Sequence, residues 1–179
     1  EISECLVGSE MCIRDRNMAV LDTNEIFFTT FEPKTKNRYV MYIDGIPAYM
    51  VRKADPPKFT NAGISIHHIN TYFNIQGKRK WETTNFSLYD PITPSGIQSV
   101  MDWCRLGYEA VTGRAGYQDF YKRDITLNML GPVGDVVSEW IYKGAFVSKV
   151  TPDSLDWSDD GNPAELQIEV TYDYAILNW

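Results

Sequence analysis

The stretch Ala164-Glu165-Leu166-Gln167-Ile168-Glu169-Val170-Thr171-Tyr172-Asp173-Tyr174 alternates without a break. Leu166, Ile168, Val170, Tyr172 and Tyr174 fall on one face. Glu165, Gln167, Glu169, Thr171 and Asp173 fall on the other. Successive side chains of a strand point to opposite faces, so the pattern predicts one half-buried strand with a polar, mostly acidic outer side. A slip of one residue would bury the acids, so the register is strongly specified.

Upstream lie more strand patterns and one helix. Residues 38–43 read as a strand closed by the turn pair Asp44-Gly45, with residues 46–53 returning. Residues 64–75 and 80–89 read as a long hairpin turning at Gln76-Gly77-Lys78-Arg79, where Gly77 can take a positive φ. Such an arm is an assembly device more often than a stable feature of a monomer. A helix is predicted from Ser95, a capping residue with Gln98 three places on, to Gly113. Its apolar face would hold Ile97, Val100, Met101, Cys104, Tyr108 and Val111, and Arg105 can pair with Asp102 and Glu109. Residues 123–130 and 136–150 are two more strands, with Gly144 marking a bulge. Six or seven antiparallel strands and one helix predict a mainly β chain. The expected form is a β-sandwich or open barrel with the helix at an edge or end and a long extended hairpin.

Residues 1–17 show neither a strand nor a helix period. They resemble translated adapter read-through and are expected to be a disordered, non-native leader, with residues 18–179 forming a single domain. The full chain carries a net charge of −7; without the leader's four acids and two bases it is −5. This mild negative charge argues against a nucleic-acid binder, whose phosphate affinity rests on Lys and Arg. Two of the three cysteines, Cys5 and Cys12, lie in the leader, which leaves Cys104 and no disulfide framework in the rest. No apolar run approaches the ~20 residues of a membrane helix. Residues 18–33 hold Ile26, Phe27, Phe28 and Phe31, an aromatic arm expected to dock on its own core or on another copy.

The chemistry-bearing residues are sparse. His67 and His68 are adjacent and point to opposite faces of a strand, so they cannot share a metal. Cys104 reads as a small residue on the helix's apolar face. Asp153, Asp156, Asp159 and Asp160 before Gly161 lack the alternate spacing of a calcium loop and read as a turn. Asn85-Phe86-Ser87 matches a glycosylation sequon but lies in a predicted strand. There is no phosphate-binding Gly loop and no Ser-centred elbow. No catalytic residue, metal or cofactor is expected.

The order of these elements resembles the tail tube proteins of contractile-tailed, T-even-like bacteriophages. The likeness is carried by Asn74-Ile75-Gln76-Gly77-Lys78-Arg79-Lys80-Trp81-Glu82, by the helix around Met101-Asp102-Trp103, and by Leu155-Asp156-Trp157 before the final alternation. It spans nearly all of residues 18–179. The resemblance implies six copies per ring and stacked rings inside a contractile sheath. It also implies a channel through which DNA passes without specific binding, and contacts with sheath, baseplate and tail terminator proteins. The protein would be made in the bacterial cytoplasm, reside in the virion and carry no membrane anchor. Glu165, Glu169 and Asp173 are then candidates for an acidic channel wall, against the reading of an ordinary solvated face. Gly77, Lys78, Arg79 and Lys80 are candidates for contact between rings, against the reading of a solvated turn. Other readings are the tube subunit of a type VI secretion or extracellular contractile injection system and a carbohydrate-binding β-sandwich presenting Trp81, Trp140 and Trp157. A small hydrolase ranks last, because the pattern supplies no convergent polar groups.

Overall fold

The computed structural model describes residues 32–158 and 161–179; the leader and the aromatic arm through Phe31 lie outside them. The unit Thr35–Trp179 carries every element of the described residues. In chain order these are β1 (Tyr39–Ile43), a 3-10 turn (Ala48–Met50), β2 (Val51–Ala54), β3 (Phe59–His68), β4 (Thr71–Trp81) and β5 (Thr84–Tyr89). Then come α1 (Gly96–Gly107), α2 (Gln118–Tyr121), β6 (Arg123–Leu130), β7 (Val136–Pro152), β8 (Glu165–Thr171) and β9 (Tyr174–Asn178).

Every strand pairing is antiparallel. One layer runs β1-β6-β7-β9 and the other β2-β5-β8-β7. The long β7 therefore serves both, its first half beside β6 and β9 and its second beside β8. Met41, Ile43, Ile125, Leu127 and Tyr142 from the first layer and Phe86, Leu88, Leu166, Ile168 and Val170 from the second form one buried core. Tyr142 meets Phe86 edge-on across it at 6.0 Å between ring centroids. The expected sandwich is the observed fold.

The final alternation is correct up to Tyr172 and wrong beyond it. Leu166, Ile168, Val170 and Tyr172 are buried, but Tyr174 is 48% exposed. Rather than one strand to Tyr174, the chain bends after β8, and β9 continues alongside the other half of β7. The pairs Phe146–Thr171 and Lys143–Tyr174 keep one register on either side of the bend. Gly144, at φ +65°, turns β7 at the same corner, where the amide of Asp173 donates to the Lys143 carbonyl at 3.0 Å. The corner shifts the phase by one residue, so Ala175 and Leu177 take the half-buried positions and Tyr174 and Ile176 face out.

Two hairpin expectations also change. Asp44-Gly45 does form a tight turn, with Gly45 at φ +79° and an Ile43–Ile46 bridge. Its strands then separate: β1 pairs with β6 and β2 with β5, because each follows the layer that buries its apolar side. The long hairpin turns at Ile69-Asn70, not at Gln76–Arg79. Residues 76–80 lie inside β4, and Gly77 has no positive φ. It lies in a bulge of β4 opposite Ala62, where a Cβ would stand 3.1 Å from the Ala62 carbonyl oxygen.

The helix starts as expected and stops early. Ser95 Oγ accepts from the Gln98 amide at 3.4 Å. Asp90 strengthens that end, its Oδ1 accepting from Ser95 Oγ and from the amides of Gly96 (2.8 Å) and Ile97. The helix ends at Gly107, so Tyr108 and Val111 leave the predicted face and stand exposed. Gly113, at φ +70°, turns the loop that follows instead of ending the helix. The buried anchors are Val100 and Trp103, whose indole Nε1 donates to the Tyr121 carbonyl at 2.7 Å.

Candidate assembly surfaces

The arm β3–β4 is a two-stranded sheet of its own, and every residue of β3 is exposed. Its register places Ile64 beside Ile75 and Ile66 beside Phe73, with Ile69 at the tip. Alternation puts these pairs on one face, while Phe59 and Trp81 at the base lie on the other. The opposite face pairs Ser65 with Asn74 and His67 with Tyr72. Residues 62–76 contain no Lys, Arg, Asp or Glu. An exposed edge normally carries such charges to block unwanted pairing, and this ribbon lacks them over residues 62–76.

The base of the arm is held firmly. Trp81 packs on Phe59 and Tyr172, and Tyr172 on Tyr142, at centroid separations of 5.2, 5.8 and 5.1 Å. The segment Asp55-Pro56-Pro57-Lys58 leads into the arm. Tyr142 donates to its Asp55 carbonyl at 2.9 Å, and Tyr172 Oη bonds the Lys58 amide and carbonyl at 3.2 Å each. Burial pushes both phenols above the usual tyrosine range, so both stay neutral donors.

The sequence-predicted basic group is dispersed by this geometry. Arg79 is engaged within the chain: its Nε donates to Asn61 Oδ1 at 3.0 Å and its guanidinium lies 4.1 Å from the Phe59 ring centroid. Gly77 is half-buried at the bulge. Lys78 and Lys80 remain exposed, Lys80 on the face that carries Ile64 and Ile75.

The acidic set is likewise only partly assembled. Glu165 and Glu169 share the outer face of β8 with Gln167 and Thr171. Glu165 is ion-paired with Arg52, and Asp173, at the corner past β8, holds Lys122 at 2.8 Å. Lys149 is the backbone neighbour of Glu169. The face is polar and nearly neutral rather than strongly acidic.

A third surface was not legible in the sequence. The loop after α1 folds back as a small hairpin, fixed by Gly116 N to Gly107 O (2.9 Å) and Glu109 N to Arg114 O (3.0 Å). Between it and α1 lies an open trough of about 750 Å3, with Cys104, Met101, Leu106, Tyr108, Val111 and Phe120 among its walls. Burial raises the Cys104 thiol pKa. The tryptophans of the carbohydrate reading do not converge: Trp81 and Trp140 pack on the core, and Trp157, expected beside the last strand, is fully exposed. Among the described residues no cluster of three or more His, Cys, Asp or Glu is placed to hold a metal, and no helix is long and apolar enough to cross a membrane.

No family model and no curated protein matches the sequence. Solved structures do match the fold. A chain of the anti-feeding prophage cap, the tube-terminating cap, superposes with a TM-score of 0.69 at 16% identity, covering 89% of this chain and 98% of that one. A chain from the sheath/tube terminator of the PVC extracellular contractile injection system gives 0.68 at 15% identity, with 83% and 99% covered. A chain of the sixfold-symmetrised anti-feeding prophage baseplate gives 0.63 at 10% identity, with 83% and 97% covered. The fold is that of chains in contractile injection assemblies. The antiparallel sandwich with its flanking helix is thus shared almost end to end with chains of those assemblies.

Proposed function

We propose that the chain is the repeating subunit of a contractile bacteriophage's tail tube, closing into six-membered rings that stack inside a sheath and give DNA a path. The observation that carries this reading is the arm: a ribbon uncharged over residues 62–76, with one apolar face, held at a firm base and left exposed among the described residues. Such a ribbon is stable when another copy covers it. A contact between unlike surfaces of identical copies closes into rings or propagates, as a tube requires.

Within this reading the outer face of β5 and β8 lines the channel, with Asn85, Ser87, Glu165, Gln167 and Glu169. A polar wall with its charges largely balanced lets phosphate pass without holding it. Lys78 and Lys80 meet acids of the next ring. Sheath, baseplate and terminator proteins are its other partners. The alternative is the tube or cap of an injection system, favoured by the origin of the matching folds. A capsid and terminase encoded beside its gene would select the phage.

The test is negative-stain microscopy of the full chain at high concentration, beside Phe73→Ser. Rings or hollow tubes of uniform width, absent in Phe73→Ser at unchanged melting temperature, are expected. A chain that stays monomeric at every concentration, with and without isolated baseplates, overturns the proposal.

A further inference from the structure

Among the described residues, two apolar surfaces stand exposed and can complement each other: the tip half of the arm and the trough beside α1. In the arm, Ile64, Ile66, Ile69 and Phe73 are 50%, 49%, 89% and 65% exposed. Together they present on the order of several hundred Å2, the size at which an exposed patch on a monomer marks an interaction site. In the trough, Tyr108, Val111 and Phe120 are 59%, 94% and 62% exposed, and Cys104 belongs to the same lining. Its hairpin wall is already fixed by backbone hydrogen bonds, so an occupant need not order it.

We infer that the trough between α1 and the loop at residues 108–117 of one copy receives the arm tip of a second copy. The inference rests on the tube-subunit reading and names the two surfaces that meet in it. Charge selects this pairing. The arm tip brings no ionised Lys, Arg, Asp or Glu into contact, and the trough keeps Arg105, Glu109 and Arg114 among its lining while the rest of that lining is apolar or aromatic. An uncharged tip leaves those side chains free to remain in water, so no ion is buried without a partner. The other exposed apolar row, Tyr42-Thr126-Ile141-Ile176 across the outer face of the first layer, is less suited. It lies between Glu139 on one side and the Asp124–Lys143 pair on the other, and it offers no concavity to a projecting Ile69. Because arm and trough are different surfaces, the contact is heterologous and each copy both gives and receives.

The test is crosslinking in the full chain, with Cys5 and Cys12 changed to Ser and Cys104 to Ala. One variant adds Ile69→Cys and Val111→Cys; a comparison variant adds Ile69→Cys and Ile176→Cys. All these added cysteines replace exposed residues, so folding is retained. Oxidation of assembled material should give an intermolecular ladder in the first variant, at least tenfold more than in the second, and none in denatured chains. Tubes with a ladder only in the second, or in neither, would place the arm elsewhere and overturn this inference while leaving the tube reading standing. Failure of the unmodified chain to assemble at all would overturn both.

Discussion

Asp90 shows how much a single carboxylate can organise. One oxygen holds Ser95 and the first two amides of α1, and the Asp90 amide itself donates to the Ala164 carbonyl at 3.0 Å, tying the helix start to the entry of β8. Asp90→Ala should cost about 1–2 kcal/mol in urea unfolding, and Asp90→Asn much less, because the acceptor survives. Tyr142 carries a second prediction. Burial, then the nearby Tyr172 and Asp55, raise its pKa in the fold above the ordinary value of 10.0. A group raised on folding stabilises fully below its unfolded pKa, and that contribution is lost as pH climbs past it. The chain should therefore lose stability above about pH 10. Tyr142→Phe should cost about 1 kcal/mol at neutral pH, through the lost bond to the Asp55 carbonyl, and flatten the alkaline limb of a melting-temperature profile. Tyr172 should leave a smaller residual slope.

The elements divide into those the core holds and the one it does not. β7 passes from one layer to the other at Gly144, whose positive φ disfavours any side chain. Gly144→Ala should destabilise by about 1–2 kcal/mol in thermal or urea unfolding, since a Cβ there is strained and would meet the Asp173 carboxylate. The arm behaves oppositely. Ile66→Asn removes an exposed apolar side chain, so monomer stability should move by less than about 0.5 kcal/mol. Assembly, followed by light scattering, should fall at least tenfold. That separation between folding and association is what an element meant for another copy predicts.

At the scale of the molecule, net charge opposes association and apolar burial drives it. With −7 on each copy, salt should screen self-repulsion, and the tube yield at fixed protein concentration should rise from low to moderate ionic strength. If Lys78 and Lys80 also meet acids of a neighbouring ring, Lys78→Glu with Lys80→Glu should weaken polymerisation and steepen its salt dependence. An unchanged salt profile in that variant would remove both residues from the ring contact.

Local pattern was enough for the β class, the strand at Arg123–Leu130, the start of α1 and the inward face of β8, because alternation, capping chemistry and burial act over a few residues. The resemblance carried by the order of elements pointed to the same fold. Three things were not readable along the chain. The hairpin turn went to Gln76–Arg79 because Gly is a turn signal, yet the register of Ile64 with Ile75 and Ile66 with Phe73 puts the reversal at Ile69-Asn70. The alternation of residues 64–67 and 72–76 and the missing charges were the signal that could have found it. The corner at Tyr172-Asp173 leaves no local mark, since it exists only where β7 bends beside it. The trough forms between residues that the sequence pattern had assigned to one continuous helix. Periodicity reports which side of an element is apolar. Which layer an element joins, where two elements bend together and which apolar faces stay uncovered depend on contacts between distant residues, and those exist only in the folded chain.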